Sequence, residues 1–165
     1  MIKALVMETP IGALSLLERQ GCCVGAGFHA DPARLHRDLH PSLREPLTEV
    51  TDLGAIGAAV RRYFEGEIDA FDDIPVHQPS TPTRERLWAV MREVRAGGTV
   101  SYGGLATAAG LPASAARVAG GACAGNLVAP IVPCHRVVAA GGSLHHYGYG
   151  LPRKEWLLRH EGSIL

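Results

Sequence analysis

Two short, mainly apolar runs, Ile2–Glu8 and Ala13–Glu18, stand on either side of Pro10-Ile11-Gly12. Short apolar runs bounded by turn residues predict two short strands joined by a tight turn. Cys22–Phe28 adds a third, so the chain opens as an antiparallel meander. Residues 29–50 are polar and broken by Pro32, Pro41 and Pro46, which predicts a loop. A helical period follows. Leu53, Ile56, Val60, Tyr63 and Phe64 fall on one helical face, with Asp52 placed to cap the start and Gly66 just past the end. Residues 69–82 lose this periodicity and collect Pro75, Pro79 and Pro82. They predict a break between domains: an N-terminal mixed domain over 1–72, a linker over 73–82 and a second domain over 83–165.

Helical spacing dominates the second half. Thr81-Pro82 is a capping residue followed by proline at the first helical position. The helix it opens turns Leu87, Trp88, Met91 and Val94 inward and stops at Gly97-Gly98. Ser101 can cap a short helix over Tyr102–Ala109, Gly110-Leu111-Pro112 makes a turn, and Ala113–Ala124 forms a second short helix. Two such helices around a glycine turn have the form of a helix-turn-helix. Pro152 opens a last helix through Trp156, Leu157 and Leu158, ended by Gly162. The expected fold class is α+β: a small N-terminal domain with an antiparallel sheet and a helix, then a mainly helical domain with a helix-turn-helix.

Composition narrows the setting. A chain of 165 residues can bury a real core. Its apolar runs are too interrupted to span a membrane, and the start has no apolar signal core, so the expected location is the cytoplasm. Cys22, Cys23, Cys123 and Cys134 have neither a disulfide-framework spacing nor a zinc spacing, and no metal is expected. Net charge is zero, but it is unevenly placed. Residues 1–82 carry 7 Lys/Arg against 12 Asp/Glu, a net −5, and residues 83–165 carry 9 against 4, a net +5. A basic half is the one expected to meet a phosphate backbone.

The densest chemistry is Pro133-Cys134-His135-Arg136-Val137-Val138. A thiol attacks as thiolate, so a reactive cysteine needs a neighbour to take its proton. A bare Cys-His pair is also what a structural thiol beside an unrelated histidine would give, because adjacent side chains on an extended strand point to opposite faces. The surroundings decide.

Ile131-Val132-Pro133-Cys134-His135-Arg136-Val137-Val138 resembles the active-site signature of the O6-alkylguanine-DNA alkyltransferases, also called methylated-DNA–cysteine methyltransferases. The likeness extends to Ser101-Tyr102, Ala116-Arg117-Val118-Ala119-Gly120-Gly121-Ala122, Gly125-Asn126, Tyr147, Gly150-Leu151, Lys154-Glu155-Trp156-Leu157-Leu158 and His160-Glu161-Gly162. It is specific from about Pro82 to Gly162 and loose before that.

The resemblance implies a DNA-repair protein that moves the alkyl group of O6-alkylguanine to its own cysteine. The transfer is stoichiometric and irreversible, follows extrusion of the base, and needs no cofactor. Cys134 becomes the nucleophile, His135 the base acting through a water, Glu161 the carboxylate that orients His135, and Asn126 the hinge. Arg117 becomes the residue that fills the emptied stack and Tyr102 a contact to the rotated nucleotide. The small residues Ala116, Ala119 and Gly120 permit close approach to a groove. Val137, Tyr147, Gly148 and Tyr149 fall at the alkyl and guanine pocket, with Tyr149 expected to narrow it. The implied partner is double-stranded DNA carrying O6-alkylguanine, held in the minor groove by a protein that is a monomer in solution. The sequence departs from the family at Leu127, where proline is usual, and at His145-His146 and Tyr149, which are bulky where smaller residues are common. Two other classes stay open on the residues alone: a non-catalytic module that binds alkylated DNA, and a cysteine hydrolase.

Overall fold

The computed structural model describes all 165 residues, and the chain divides into two compact units. Met1–Pro79 and Leu127–Ile131 make the first, Ser80–Asn126 and Val132–Leu165 the second. No helix is long and apolar enough to cross a membrane.

The first unit is built on the meander. β1 (Ile2–Thr9), β2 (Gly12–Arg19) and β3 (Cys22–Gly27) pair antiparallel in register Lys3↔Glu18 to Thr9↔Gly12 and Ser15↔Gly27 to Arg19↔Cys22, with a bulge at Leu17/Glu18. Residues 29–50 are not the loop that their prolines predict. They hold α1 (Ala33–Asp38), a turn of 3-10 helix at Pro41–Leu43, and β4 (Leu47–Glu49), which pairs parallel to β1 at the sheet edge. Leu35, Leu39 and Leu43 recur every fourth residue and bury against Ile2, Ala4, Leu17 and Val24. That apolar spacing outweighed the prolines, which sit at or just before element starts, where no backbone donor is lost.

α2 (Ala55–Phe64) buries Ile56, Ala59, Val60 and Tyr63, and the Tyr63 ring stacks on Phe71 at 4.0 Å. Asp52 is not its cap. Gly54 holds that position, at φ +60°, and Asp52 Oδ1 instead accepts from the Gly54 N–H at 2.7 Å. Residues 75–77 run beside β3 rather than forming a free linker: Cys23 N–H donates to Pro75 O at 2.8 Å and His77 N–H to Cys23 O at 3.0 Å. Further along the same strand, Ala26 N–H donates to Leu127 O at 2.8 Å and Ala129 N–H to Ala26 O at 3.0 Å. Both segments therefore satisfy what would be an open sheet edge.

The second unit is mainly helical. α3 (Pro82–Glu93) starts as expected, with Thr81 Oγ1 accepting from Arg84 N–H at 3.3 Å. It buries Leu87, Trp88 and Met91, while Val94 caps its end half-buried. β5 (Val100–Ser101) leads into α4 (Tyr102–Ala108), whose first turn is capped by Ser101 Oγ accepting from Gly104 N–H at 2.9 Å. Gly110, at φ +82°, ends it in the left-handed region that favours glycine. One 3-10 turn over Ala113–Ala115 precedes α5 (Ala116–Ala124), completing the helix-turn-helix. Trp88 Nε1 donates to Ala122 O at 2.8 Å and ties α3 to α5. β6 (Val137–Val138) pairs parallel with β5, and α6 (Leu151–His160) closes the unit with Leu157 and Leu158 buried.

Candidate active site

Cys134 does not lie on a strand. Pro133 leads into a single 3-10 turn over Cys134–Arg136, closed by Arg136 N–H donating to Pro133 O at 3.0 Å. The turn lets two neighbouring side chains serve different layers. Cys134 lines a cavity while remaining 8% exposed, and His135 behind it is fully buried.

Asn126, at the end of α5, reaches the turn from the side. Its Nδ2 donates to Val132 O at 2.9 Å and to Cys134 Sγ at 3.3 Å, so one amide both fixes the approach to the turn and touches the sulfur. Burial pushes the Cys134 thiol up from its ordinary range. The Asn126 hydrogen bond, the Lys154 charge and a backbone hydrogen bond pull it partly back.

Glu161 caps the C-terminal end of α6, where the helix dipole disfavours a carboxylate. Three charge-assisted bonds hold it there. His135 Nε2 donates to Oε2 at 2.7 Å, Arg136 Nε to Oε1 at 2.8 Å and Arg136 Nη2 to Oε2 at 3.2 Å. The remaining Arg136 arm donates to Val94 O at 2.7 Å. Burial alone would raise the Glu161 carboxyl, but His135 and Arg136 hold it at about 2. Burial also pushes the His135 imidazole down, against the opposing pull of Glu161, with Arg136 and Lys154 adding to the lowering. A carboxylate only accepts, so Nε2 carries the ring proton and the neutral imidazole keeps its lone pair on Nδ1. That Nδ1 is buried and has no protein hydrogen-bond partner.

The cavity has a volume of about 700 Å³. α4 contributes Tyr102 to its wall, α5 contributes Ala116, Arg117, Gly120, Cys123 and Ala124, and the segment before α6 contributes His145, His146, Tyr147 and Gly148. Burial, and then the charges of Cys123 and Cys134, push the Tyr102 phenol to about 12, so it stays a hydrogen-bond donor at neutral pH. His145 adopts φ +67°, uncommon for a residue with a side chain, and its ring meets Tyr102 edge-on at 5.4 Å.

Three residues expected at the site lie elsewhere. Ala119 is fully buried on the inner face of α5, so only Ala116 and Gly120 of the three small residues line the cavity. Val137 is also fully buried, and its carbonyl accepts from Lys154 Nζ at 2.7 Å. Tyr149 is half-buried outside the lining. Its ring lies edge-on to Tyr147 at 5.8 Å, and its carbonyl accepts from Arg153 Nη1 at 3.1 Å. Alternation would put residues 147 and 149 on one face, but the chain turns at Gly148-Tyr149, where Gly150 N–H donates to Tyr147 O at 2.9 Å, and the turn carries Tyr149 out of the lining.

Lys154 is a residue whose role the sequence left unassigned. It is fully buried in α6, and a second bond from Nζ to His146 O at 2.8 Å makes it a brace between the turn's exit and the cavity's far wall. Burial pushes its ammonium down, while Cys123 and Cys134 pull it up. Its place in the Lys-Glu-Trp-Leu-Leu run was the available signal. Cys123 also lines the cavity, though in the sequence a lone cysteine in an alanine-rich helix reads as packing.

A thiol in a cavity wall, a buried neutral imidazole held by a carboxylate, and a helix-turn-helix beside them are the features of a protein with a cysteine-centred site next to a nucleic-acid-binding motif. Residues 82–163 match the family model described as the DNA binding domain of 6-O-methylguanine DNA methyltransferase. Over 166 residues the chain is 36% identical to the methylated-DNA–protein-cysteine methyltransferase of Mycobacterium bovis, covering 99% of this chain and 94% of that protein. It is 39% identical over 115 residues to the protein of the same name from Shigella flexneri, covering 70% and 67%. The fold superposes with a TM-score of 0.83 on the crystal structure of Mycobacterium tuberculosis OGT in complex with DNA, at 31% identity over 98% of this chain and 93% of that one. The chain belongs to the methylated-DNA–protein-cysteine methyltransferase family.

Proposed function

We propose that this protein repairs double-stranded DNA by moving the alkyl group from O6 of an extruded guanine to Cys134 Sγ. The observation that carries this reading is the stack of Cys134 in the cavity wall, neutral His135 behind it, and Glu161 behind both. His135 Nδ1 takes the thiol proton through one water, and Glu161 stabilises the imidazolium that forms. The sulfur then attacks the alkyl carbon, the S–C bond forms as the C–O6 bond breaks, and the departing guanine oxyanion takes up a proton. Tyr102, held as a phenol, supplies a hydrogen bond to the base. Gly148, in the cavity wall, has a backbone group free of any side-chain requirement for reading the guanine edge.

The product is a thioether, and no group in the cavity offers a route to hydrolyse it, so each molecule acts once. α5 enters the minor groove. Arg117, exposed at the cavity rim, fills the space in the stack that the extruded nucleotide leaves, offsetting an unstacking cost of about a few kcal/mol. The protein works as a monomer.

The test is the intact mass of the protein after incubation with duplex DNA carrying O6-methylguanine. One methyl should appear on Cys134 and the yield should plateau at one per active molecule. Cys134→Ser should remain unmodified while still binding the duplex. Sustained turnover would support a cysteine hydrolase, and binding without transfer would support a non-catalytic module.

A further inference from the structure

His145 and His146 are neighbours in the chain, yet both line the cavity, with ring centroids 4.2 Å apart. Adjacent side chains of an extended segment would point to opposite faces. His145 instead adopts φ +67°, in the left-handed region, and the bend lets both rings serve one side. A residue with a side chain is held there at an energetic cost that glycine would avoid. Both histidines line the cavity while staying exposed to water. Of the eleven residues in the lining, only Arg117, His145 and His146 can carry a positive charge. Arg117 belongs to α5, and the two histidines to the wall that α5 does not form.

We propose that His145 and His146 form a phosphate-binding pair, which in its protonated form holds the phosphodiesters flanking the extruded guanine. The base enters the cavity, while the backbone on either side of it keeps its negative charge and stays in water. An imidazolium offers such an anion two N–H donors and a charge. Histidine is the side chain whose charge changes between about pH 5 and 8, so the contact strengthens as pH falls. The groups facing the pair from other elements do not reproduce this. On α4, burial and then the charges of Cys123 and Cys134 push the Tyr102 phenol to about 12. On α5, burial and then the Cys134 charge push the Cys123 thiol to about 12, and the guanidinium of Arg117 stays charged throughout. Burial likewise pushes the Cys134 thiol and the Tyr147 phenol up. Lys154 of α6 directs its ammonium at the His146 carbonyl rather than at either ring.

This proposal rests on the alkyl-transfer reading, and the experiment separates the two. Wild-type protein is first checked by intact mass for methyl transfer from an O6-methylguanine duplex. Binding of Cys134→Ser protein to the same duplex is then followed by fluorescence anisotropy, and the slope of log K against log salt is compared at pH 8 and pH 6. At pH 8 the slope reports lysine and arginine contacts. At pH 6 it should steepen by about 0.9 for each histidine engaged, up to about 1.8. Adding His145→Asn and His146→Gln should make the two slopes coincide; asparagine tolerates the left-handed backbone at 145. A duplex with neutral methylphosphonates in place of the two phosphodiesters flanking O6-methylguanine should lose the same increment with both histidines present. That arm decides the question if the substituted protein does not fold. Equal slopes at the two pH values overturn the proposal, as does an increment that persists without the histidines or on the methylphosphonate duplex. Methyl transfer alongside such a result leaves the alkyl-transfer reading standing. Absence of methyl transfer by the wild type overturns that reading, and the proposal with it.

Discussion

Glu161 holds both His135 and Arg136, and its removal has effects that can be told apart. Both oxygens accept from cationic or N–H donors, and the side chain is buried. Glu161→Gln would set an amide N–H₂ against one of those donors and leave Arg136 buried without its counter-charge. Breaking a buried pair this way costs about 3–5 kcal/mol. Loss of the orienting carboxylate should also slow transfer by about 10²-fold, since the His135 tautomer is no longer fixed. The pH dependence has a definite sign. A carboxyl held at about 2 in the folded state, against an ordinary value of 4.5, stabilises the fold fully above pH 4.5 and loses that contribution as pH falls toward 2. His135 acts in the same direction from higher pH, because its folded pKa lies below 6.5 and the unfolded chain binds the proton first. Thermal melts of both proteins from pH 7 to 3 should show the gap between them narrowing below pH 4.5. A gap that stays constant would mean that the carboxylate is not the source of the difference.

At the scale of elements, α5 is where position on the helix decides function. Arg117 is exposed at the cavity rim, Ala119 two residues on is fully buried, and Gly120 returns to the cavity. Arg117→Ala should therefore slow repair in duplex DNA by more than about tenfold and leave transfer from the free base O6-methylguanine close to wild type, because a free base has no stack to refill. Comparing the two rates checks it, and equal slowing would make Arg117 a structural residue. Elements with local signals were legible in the sequence. The Thr81 and Ser101 caps, the Gly110 turn and the apolar runs of β1–β3 between their turns each rest on a few adjacent residues. β4 was not legible, because three residues show no alternation and their pairing with β1 is settled more than forty positions away. The 3-10 turn at Cys134 was hidden for a similar reason, since Val-Pro-Cys-His reads as extended. Lys154 was concealed by its type: lysine is almost never fully buried unless partnered, and its partners, the Val137 and His146 carbonyls, come from segments the sequence does not place beside it. The roles assigned to Cys134, His135 and Glu161 came from resemblance. Their chemical states, and the displacement of Tyr149 and Val137 from the cavity, required the fold.

Across the whole molecule, charge follows the two units. No charged residue falls in Ser80–Pro82 or Leu127–Ile131, so the −5 of residues 1–82 is the charge of the first unit and the +5 of residues 83–165 that of the second. A protein with no net charge gains little from long-range attraction to DNA, and its affinity must come from contacts made by the second unit. Each phosphate neutralised by a basic side chain contributes about −0.9 to the slope of log K against log salt. The second unit has nine Lys/Arg, and with Arg136 and Lys154 buried at most seven can reach phosphates. If it alone supplies these contacts, the slope should be no steeper than about −6, and affinity should fall by no more than about 10³–10⁴-fold between 50 and 200 mM salt. Cys134→Ser protein, which cannot react, allows this to be measured at equilibrium by fluorescence anisotropy on an O6-methylguanine duplex. A slope near zero would remove the phosphate backbone as a source of affinity. A slope steeper than about −6 would require basic residues of the acidic first unit to reach phosphates as well, and Arg61 and Arg62, the adjacent pair in the last turn of α2, would be the first to substitute.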